Sequence, residues 1–220
     1  MSAASIAGLG AVVLCGGRSS RMGSPKAWLD FEGKPLLLRV VQRIAETASP
    51  IVVVAASEQE IPALPEGVLV VRDPVSGRGP LQGIAAGLDA LVGRAEAVFV
   101  SSTDVPFIHP ALIRRLHALR EGRFDIAVPR AFGHHHPLSA IYGLEARPEI
   151  AALLAADRLR LSSLFERMRT LFADEALLLE GDELRAADPE LLSLENVNTP
   201  EQYAAALARV SALPAAASPR

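Results

Sequence analysis

The sequence predicts an α/β fold built on a largely parallel sheet, from two observations. Short apolar runs alternate with longer helical patterns along most of the chain. The runs are also nearly continuous in apolar residues, as expected for strands covered on both faces. At 220 residues with 50% hydrophobic and 21% charged side chains, the chain is long enough for one domain with a substantial core.

The elements follow in order. Ala11 to Cys15 is the first strand candidate. Pro35 to Glu46 places Leu37, Val40, Val41 and Ile44 on one helical face. Ile51 to Ala55 and Val68 to Val71 are β-branched runs and read as strands. Gly79 to Val92 reads as a helix burying Leu81, Ile84, Leu88 and Leu91, followed by a strand at Ala97 to Ser101. Pro110 opens a helix through Arg120, with proline in the first turn, where its missing N–H costs nothing. Ile126 to Pro129 and Leu138 to Tyr142 read as two further strands. The chain is then mostly helical to Arg169, with a strand expected from Leu171 and a less regular one at Leu191 to Glu195. Thr199 is the expected N-cap of a closing helix. The expected organisation is a disordered start over residues 1–8, one domain over 9–210 and a frayed tail over 211–220.

Composition excludes several function classes. A net charge of −3 gives no bulk attraction to nucleic acid or an anionic membrane. No segment offers the ~20 uncharged apolar residues of a membrane span. The apolar start has no basic region before it and no cleavage site after it, so it is not read as a signal peptide. A single cysteine, Cys15, excludes an internal disulfide and a cysteine-based zinc site, and fits a reducing cytoplasm.

Four clusters fall at the expected carboxyl ends of strands, where open α/β sheets bind ligands. The first is LCGGRSSRMGSPK, with Gly16 and Gly17 at the strand exit and Arg18, Arg21 and Lys26 beyond. Glycines let backbone N–H groups approach an anion, and the cations grip phosphate oxygens. The spacing matches neither the G-x-x-x-x-G-K-[ST] loop nor the G-x-G-x-x-G turn, so solvated arginines on a surface turn remain an alternative. The second is DPVSGRGPLQG, where Gly79-Pro80 starts a helix and Asp73 either accepts hydrogen bonds from a ribose or base or simply shapes a turn. The third is SSTDVP, whose Asp104 is either an Mg²⁺ ligand or a turn aspartate. The fourth is NVNTP, whose Asn196 and Asn198 point the same way on an extended backbone and present amides to a ligand, or else act as caps.

Taken together with HPLSAIY, these segments resemble the molybdenum cofactor guanylyltransferases, members of a broader nucleotidyltransferase superfamily. The matching pieces occur in the family's order from Ala11 to about Tyr203. The resemblance implies a Rossmann-like three-layer α/β/α sandwich with a mostly parallel, mixed central sheet of the nucleotide-diphospho-sugar transferase type. It implies transfer of GMP from GTP to the phosphate of molybdopterin, with Mg²⁺ and release of pyrophosphate. Leu14, Cys15 and Gly16 would line the guanine and ribose side through their backbone, and Gly17, Arg21 and Lys26 would hold the triphosphate. Asp73 would contact the nucleoside beside Gly79, and Asp104 would bind Mg²⁺ near the reacting phosphate. The catalytic set implied is Arg21, Lys26 and Asp104. Asn196, Asn198 and the His136-Pro137 region would face the acceptor. Transient contact with cofactor-delivering and cofactor-accepting proteins is expected, and no nucleic acid or membrane. Two departures stand out: Cys15 replaces a usual alanine, and Ala55-Ala56-Ser57 stands where the family often offers an asparagine to the base. The nearest alternative is a cytidylyltransferase or sugar-phosphate nucleotidyltransferase of the same superfamily. More distant ones are a nonenzymatic nucleotide-binding module and a dehydrogenase, the latter lacking its dinucleotide fingerprint.

The histidine run His134, His135, His136 invites a metal reading, but neighbours on an extended chain alternate in direction, so it is expected to be an exposed loop near the acceptor pocket. Cys15, in a tight strand exit, is expected to pack rather than react.

Overall fold

The computed structural model describes residues 5–16, 25–73, 75 and 77–212. Strand β1 (Leu9–Leu14) is buried along its whole length. A two-residue hairpin follows, β2 (Asp30–Phe31) and β3 (Lys34–Pro35). Its turn residues Glu32 and Gly33 both have positive φ, 57° and 76°, the backbone that suits a tight hairpin. Helix α1 (Leu36–Ala45) buries Leu37, Val40, Val41 and Ile44, the face its spacing predicts. Then come β4 (Ile51–Ala56), β5 (Leu69–Asp73), α2 (Pro80–Ala90) and β6 (Ala97–Ser102). Helix α3 (Pro110–Arg120) is capped by His109, whose Nδ1 accepts from the Ala111 N–H. Strands β7 (Ile126–Ala131), β8 (His134–His135) and β9 (Ser139–Gly143) lead into α4 (Arg147–Ala155) and α5 (Leu161–Phe165). The described chain closes with β10 (Thr170–Asp174), α6 (Glu175–Leu179), α7 (Asp182–Ala187) and α8 (Pro200–Ala212).

Among the described residues the main sheet has the order β10-β7-β9-β6-β1-β4-β5, with β8 paired to β7. The pairs β1–β4, β1–β6, β4–β5 and β7–β10 are parallel. Strand β9 runs antiparallel to both β6 and β7 and makes the sheet mixed. Side chains alternate across the sheet, as the pleat requires. Ala11, Val13, Val53 and Phe99 pack with α1 and α3 on one face. Val12, Val52, Val54 and Val100 pack with α2 and α4 on the other. This is the expected three-layer sandwich.

From β1 the chain builds outward to β4 and β5, then returns to place β6 on the other side of β1. The order therefore reverses at β1, and a crevice opens at the carboxyl ends of β1 and β6. Helix α2 lies very close to β1 on this side. A Cβ at Gly87 would sit 2.5 Å from both Cγ atoms of Val12.

Three sequence expectations need correcting. Leu191 to Glu195 is not a strand: Leu192–Leu194 form a 3₁₀ turn. The Asp188 carboxylate accepts from the Leu192 and Ser193 N–H groups at 2.7 and 3.0 Å, and Leu191 has φ 53°. The histidine run is not a loop: His134 and His135 pair with Arg130 and Ala131 across a turn at Phe132-Gly133, with φ 54° and 77°. At the start, Ile6 already donates to the Thr47 carbonyl at 2.8 Å and packs against the core, so order begins before residue 9. Helix α8 runs to Ala212, and the expected tail beyond it lies outside the described residues.

Candidate active site

The crevice is a cleft of about 1030 Å³. Its lining joins the exits of β1 (Leu14, Cys15, Gly16), β4 (Ala55, Ala56), β5 (Asp73) and β6 (Ser102, Thr103, Asp104) to the start of α2 (Gly79, Pro80). Lys26, Asn196 and Asn198 also line it.

The exit of β1 is held by its neighbours. The Leu14 carbonyl accepts from the N–H and the Oγ1 of Thr103, at 3.2 and 3.1 Å. The Cys15 N–H donates to the Val54 carbonyl at 2.8 Å. Burial pushes the Cys15 thiol up, so it stays protonated and inert, in keeping with a packing role.

Gly17 and Arg21, both expected on the triphosphate, lie outside the described residues, as does Arg18. The described chain resumes at Pro25, and Lys26 opens a 3₁₀ turn that buries Ala27 in the core. That anchor places the ammonium. Lys26 Nζ lies 2.8 Å from Asp104 Oδ2 and 2.7 Å from Asn198 Oδ1. The other Asp104 oxygen accepts from Ser102 Oγ at 2.5 Å and Asn196 Nδ2 at 3.0 Å. Residues far apart in sequence thus meet around one carboxylate whose side chain is 15% exposed.

The two asparagines are positioned from both ends. The Val197 N–H donates to the Asp104 carbonyl at 2.8 Å, which ties their segment to the end of β6. Thr199 caps α8 as expected: its Oγ1 accepts from the Gln202 N–H at 3.3 Å. Gln202 returns its Oε1 to the N–H groups of Asn198 and Thr199, at 2.8 and 3.2 Å, in a capping box.

Asp73 shapes a turn, one of the two readings left open by the sequence, and stands at the edge of the cleft. Its Oδ1 accepts from the Val75 N–H at 3.0 Å. Gly79, at φ 73°, is the N-cap of α2 and has no side chain to cover the helix start. His136 is not brought to the cleft: its ring Nε2 lies 3.1 Å from the Ala131 carbonyl, within its own hairpin. Burial holds its pKa below the usual histidine value, so the ring is neutral near pH 7.

Sequence reasoning missed Ser102, Thr103 and Gln59. Gln59 sits in a polar turn after β4 that gives no periodic signal, and its role becomes visible only once β1 and β4 are neighbours. Ser102 and Thr103 lie in the quoted SSTDVP cluster, next to the aspartate that drew attention.

A family model described as the MobA-like NTP transferase domain matches residues 11–173. The chain belongs to this family. Among its relatives is a probable molybdenum cofactor guanylyltransferase of Pelotomaculum thermopropionicum, 35% identical over 190 residues, or 86% of this chain and 87% of that one. A molybdenum cofactor guanylyltransferase of Rhodobacter capsulatus is 34% identical over 89% of this chain and 93% of that one. Among solved structures, molybdopterin-guanine dinucleotide biosynthesis protein A from Archaeoglobus fulgidus superposes with a TM-score of 0.72 at 24% identity. It covers 92% of this chain and 99% of the other. A 2-C-methyl-D-erythritol 4-phosphate cytidylyltransferase from Thermus thermophilus superposes at 0.59 with 16% identity, covering 91% of this chain and 98% of its own. Both likenesses speak for the fold, and the MobA-like domain carries the cleft at its carboxyl edge.

Proposed function

We propose that this MobA-like transferase moves GMP from GTP to the terminal phosphate of molybdopterin, giving a guanine dinucleotide cofactor and pyrophosphate. The observation that carries the reading is the meeting of Lys26, Asp104, Asn196 and Asn198 at the cleft, in a family whose relatives carry that activity in their names. An acceptor phosphate oxygen attacks the α-phosphorus of GTP. A new P–O bond forms, the α–β bridging P–O bond breaks, and its electrons leave on pyrophosphate. No protein nucleophile is required, so the residues work by alignment and by neutralising charge.

The nucleoside lies along Leu14, Cys15 and Gly16, with Asp73 as a hydrogen-bond acceptor near Gly79. Lys26 turns toward the triphosphate and stabilises charge on the departing pyrophosphate, together with Gly17 and Arg21. The side-chain amides of Asn196 and Asn198 face the acceptor.

The donor set fits a hard divalent ion. Asp104 is a single carboxylate flanked by neutral oxygen and amide groups, and it already holds a cationic ammonium at 2.8 Å. Among the described residues no three His, Cys, Asp or Glu side chains cluster as a closed metal cage. Mg²⁺ suits such a site, because it takes one or two carboxylates and completes its shell with water and phosphate oxygens. Bound at Asp104, Mg²⁺ would neutralise charge on the phosphate oxygens.

Cofactor-delivering and cofactor-accepting proteins are proposed as transient partners, and the cytoplasm as the compartment. No helix among the described residues is long and apolar enough to cross a membrane. The test is a nucleotide screen with molybdopterin as acceptor, measuring dinucleotide and pyrophosphate together. Product with GTP and not CTP supports the reading. Product with CTP alone moves the chain to cytidylyl transfer, and no product with any nucleotide removes the transferase reading.

A further inference from the structure

We propose that Gln59 is a positioning residue for the nucleotide: its carboxamide fixes the direction in which Gly16 presents its N–H to the cleft. This inference rests on the guanylyl-transfer reading. Gln59 Nε2 donates to the Cys15 carbonyl at 2.9 Å and lies 3.4 Å from the Cys15 sulfur. Its Oε1 accepts from the Ala56 N–H at 3.2 Å. One side chain therefore joins the exits of β1 and β4.

A trans peptide is planar, and its C=O and N–H point in opposite directions. With the Cys15 carbonyl aimed at Gln59, the Gly16 N–H is aimed away from it, on a residue that lines the cleft. Packing does not explain the glycine. Gly16 does not have a left-handed φ, and among the described residues a Cβ there would meet only the Ala56 nitrogen at 3.6 Å, an ordinary contact. Close approach of a ligand to the backbone does explain it. The turn that carries Gln59 is itself held. The Arg72 guanidinium donates to the Ala56 and Gln59 carbonyls at 3.1 and 2.5 Å, and Trp28 Nε1 donates to the Glu60 carbonyl at 3.2 Å. Gln59 does not line the cleft, so it acts through Cys15 and Gly16.

The experiment compares wild type, Gln59→Glu and Gln59→Ala at pH 8. Gln59→Glu keeps the shape and the acceptor for Ala56 but has no donor for the Cys15 carbonyl. Calorimetry gives the Kd for GTP, steady-state assays give KM and kcat, and inorganic tripolyphosphate serves as an inhibitor that probes the phosphate end alone. The expected result is a rise of about tenfold in the Kd and KM for GTP, with kcat within about twofold and tripolyphosphate inhibition unchanged. GTP affinity equal to wild type in Gln59→Glu overturns the proposal. An equal loss for GTP and tripolyphosphate also overturns it, because that is general damage to the loop. A wild-type chain that binds no GTP overturns the guanylyl reading, and this inference with it, before any variant is compared.

Discussion

Asp104 and Asp125 are both shielded carboxylates paired with a cation, yet they sit at opposite edges of one sheet and differ in how they are satisfied. Asp125 precedes β7 at its amino end, and Arg169 precedes the neighbouring β10. That arginine alone supplies Nη2 at 2.5 Å, Nε at 3.1 Å and its backbone N–H at 2.9 Å. The Asp125 N–H in turn donates to the Arg169 carbonyl at 2.9 Å. Such a rigid fork, doubled by the main chain, is a strand-to-strand stitch. Asp104 is instead held by side chains from three separate segments, and each of those partners, Lys26, Ser102 and Asn196, lines the cleft. The kind of residue is the same in both places. What separates them is where their partners stand: those of Asp104 line the cleft, and Arg169 does not.

The sharpest way to break this contrast is Asp104→Ala. We expect transfer to fall by about 10²–10³-fold, with Tm within about 3 °C of wild type, measured by pyrophosphate release and thermal melts. Full turnover would put Asp104 in the same class as Asp125. Next comes Lys26→Ala, with kcat/KM expected to drop about 10²-fold. In the double variant the two losses should not add, since the residues act as a unit; additive losses would separate them.

Asp125→Asn tests the other side. Activity at 25 °C should stay within about twofold while Tm falls by about 3 °C. The hydrogen bond from Arg169 holds the Asp125 pKa below the usual carboxylate range. A depressed folded-state pKa means stability that is complete above the unfolded value of ~3.9 and is lost as pH falls through the folded one. The gap in stability between wild type and Asp125→Asn should therefore be flat from pH 7 to 5 and shrink below about pH 4. A gap that widens in acid would reject the assignment. The smallest effect is expected for His136→Ala, whose KM for the acceptor should change by less than about twofold. A larger rise would extend the working edge of the sheet to the β7–β8 hairpin.

Much of this architecture was legible in the sequence because periodicity is local. The apolar runs at 11–15, 51–55 and 97–101 and the helical face of Leu37, Val40, Val41 and Ile44 need no knowledge of distant residues. Direction is a different matter. Ser139–Gly143 is as apolar as its neighbours, and nothing within it announces that it runs antiparallel. The apolar content of Leu191 to Glu195 suggests a strand, but the preceding Asp188-Pro189 is a turn signal whose carboxylate caps the next N–H groups. At the site, Lys26, Asp104, Asn196 and Asn198 stood out by position at strand ends, but their meeting depends on long-range topology. Gln59 lay beyond reach of the sequence, since its importance comes from reaching the backbone of a residue 44 positions earlier.

The near-contact between α2 and β1 has a consequence for the cleft. At Gly83 and Gly87 the helix rests directly on Leu14 and Val12, with no side chain of its own as spacer. One bare rail thus registers the first turn of α2 against the strand that leads to Gly16. Adding a single methyl group at position 87 would jack the rail away from its bed, and the displacement would be felt at the mouth, two helical turns from the change.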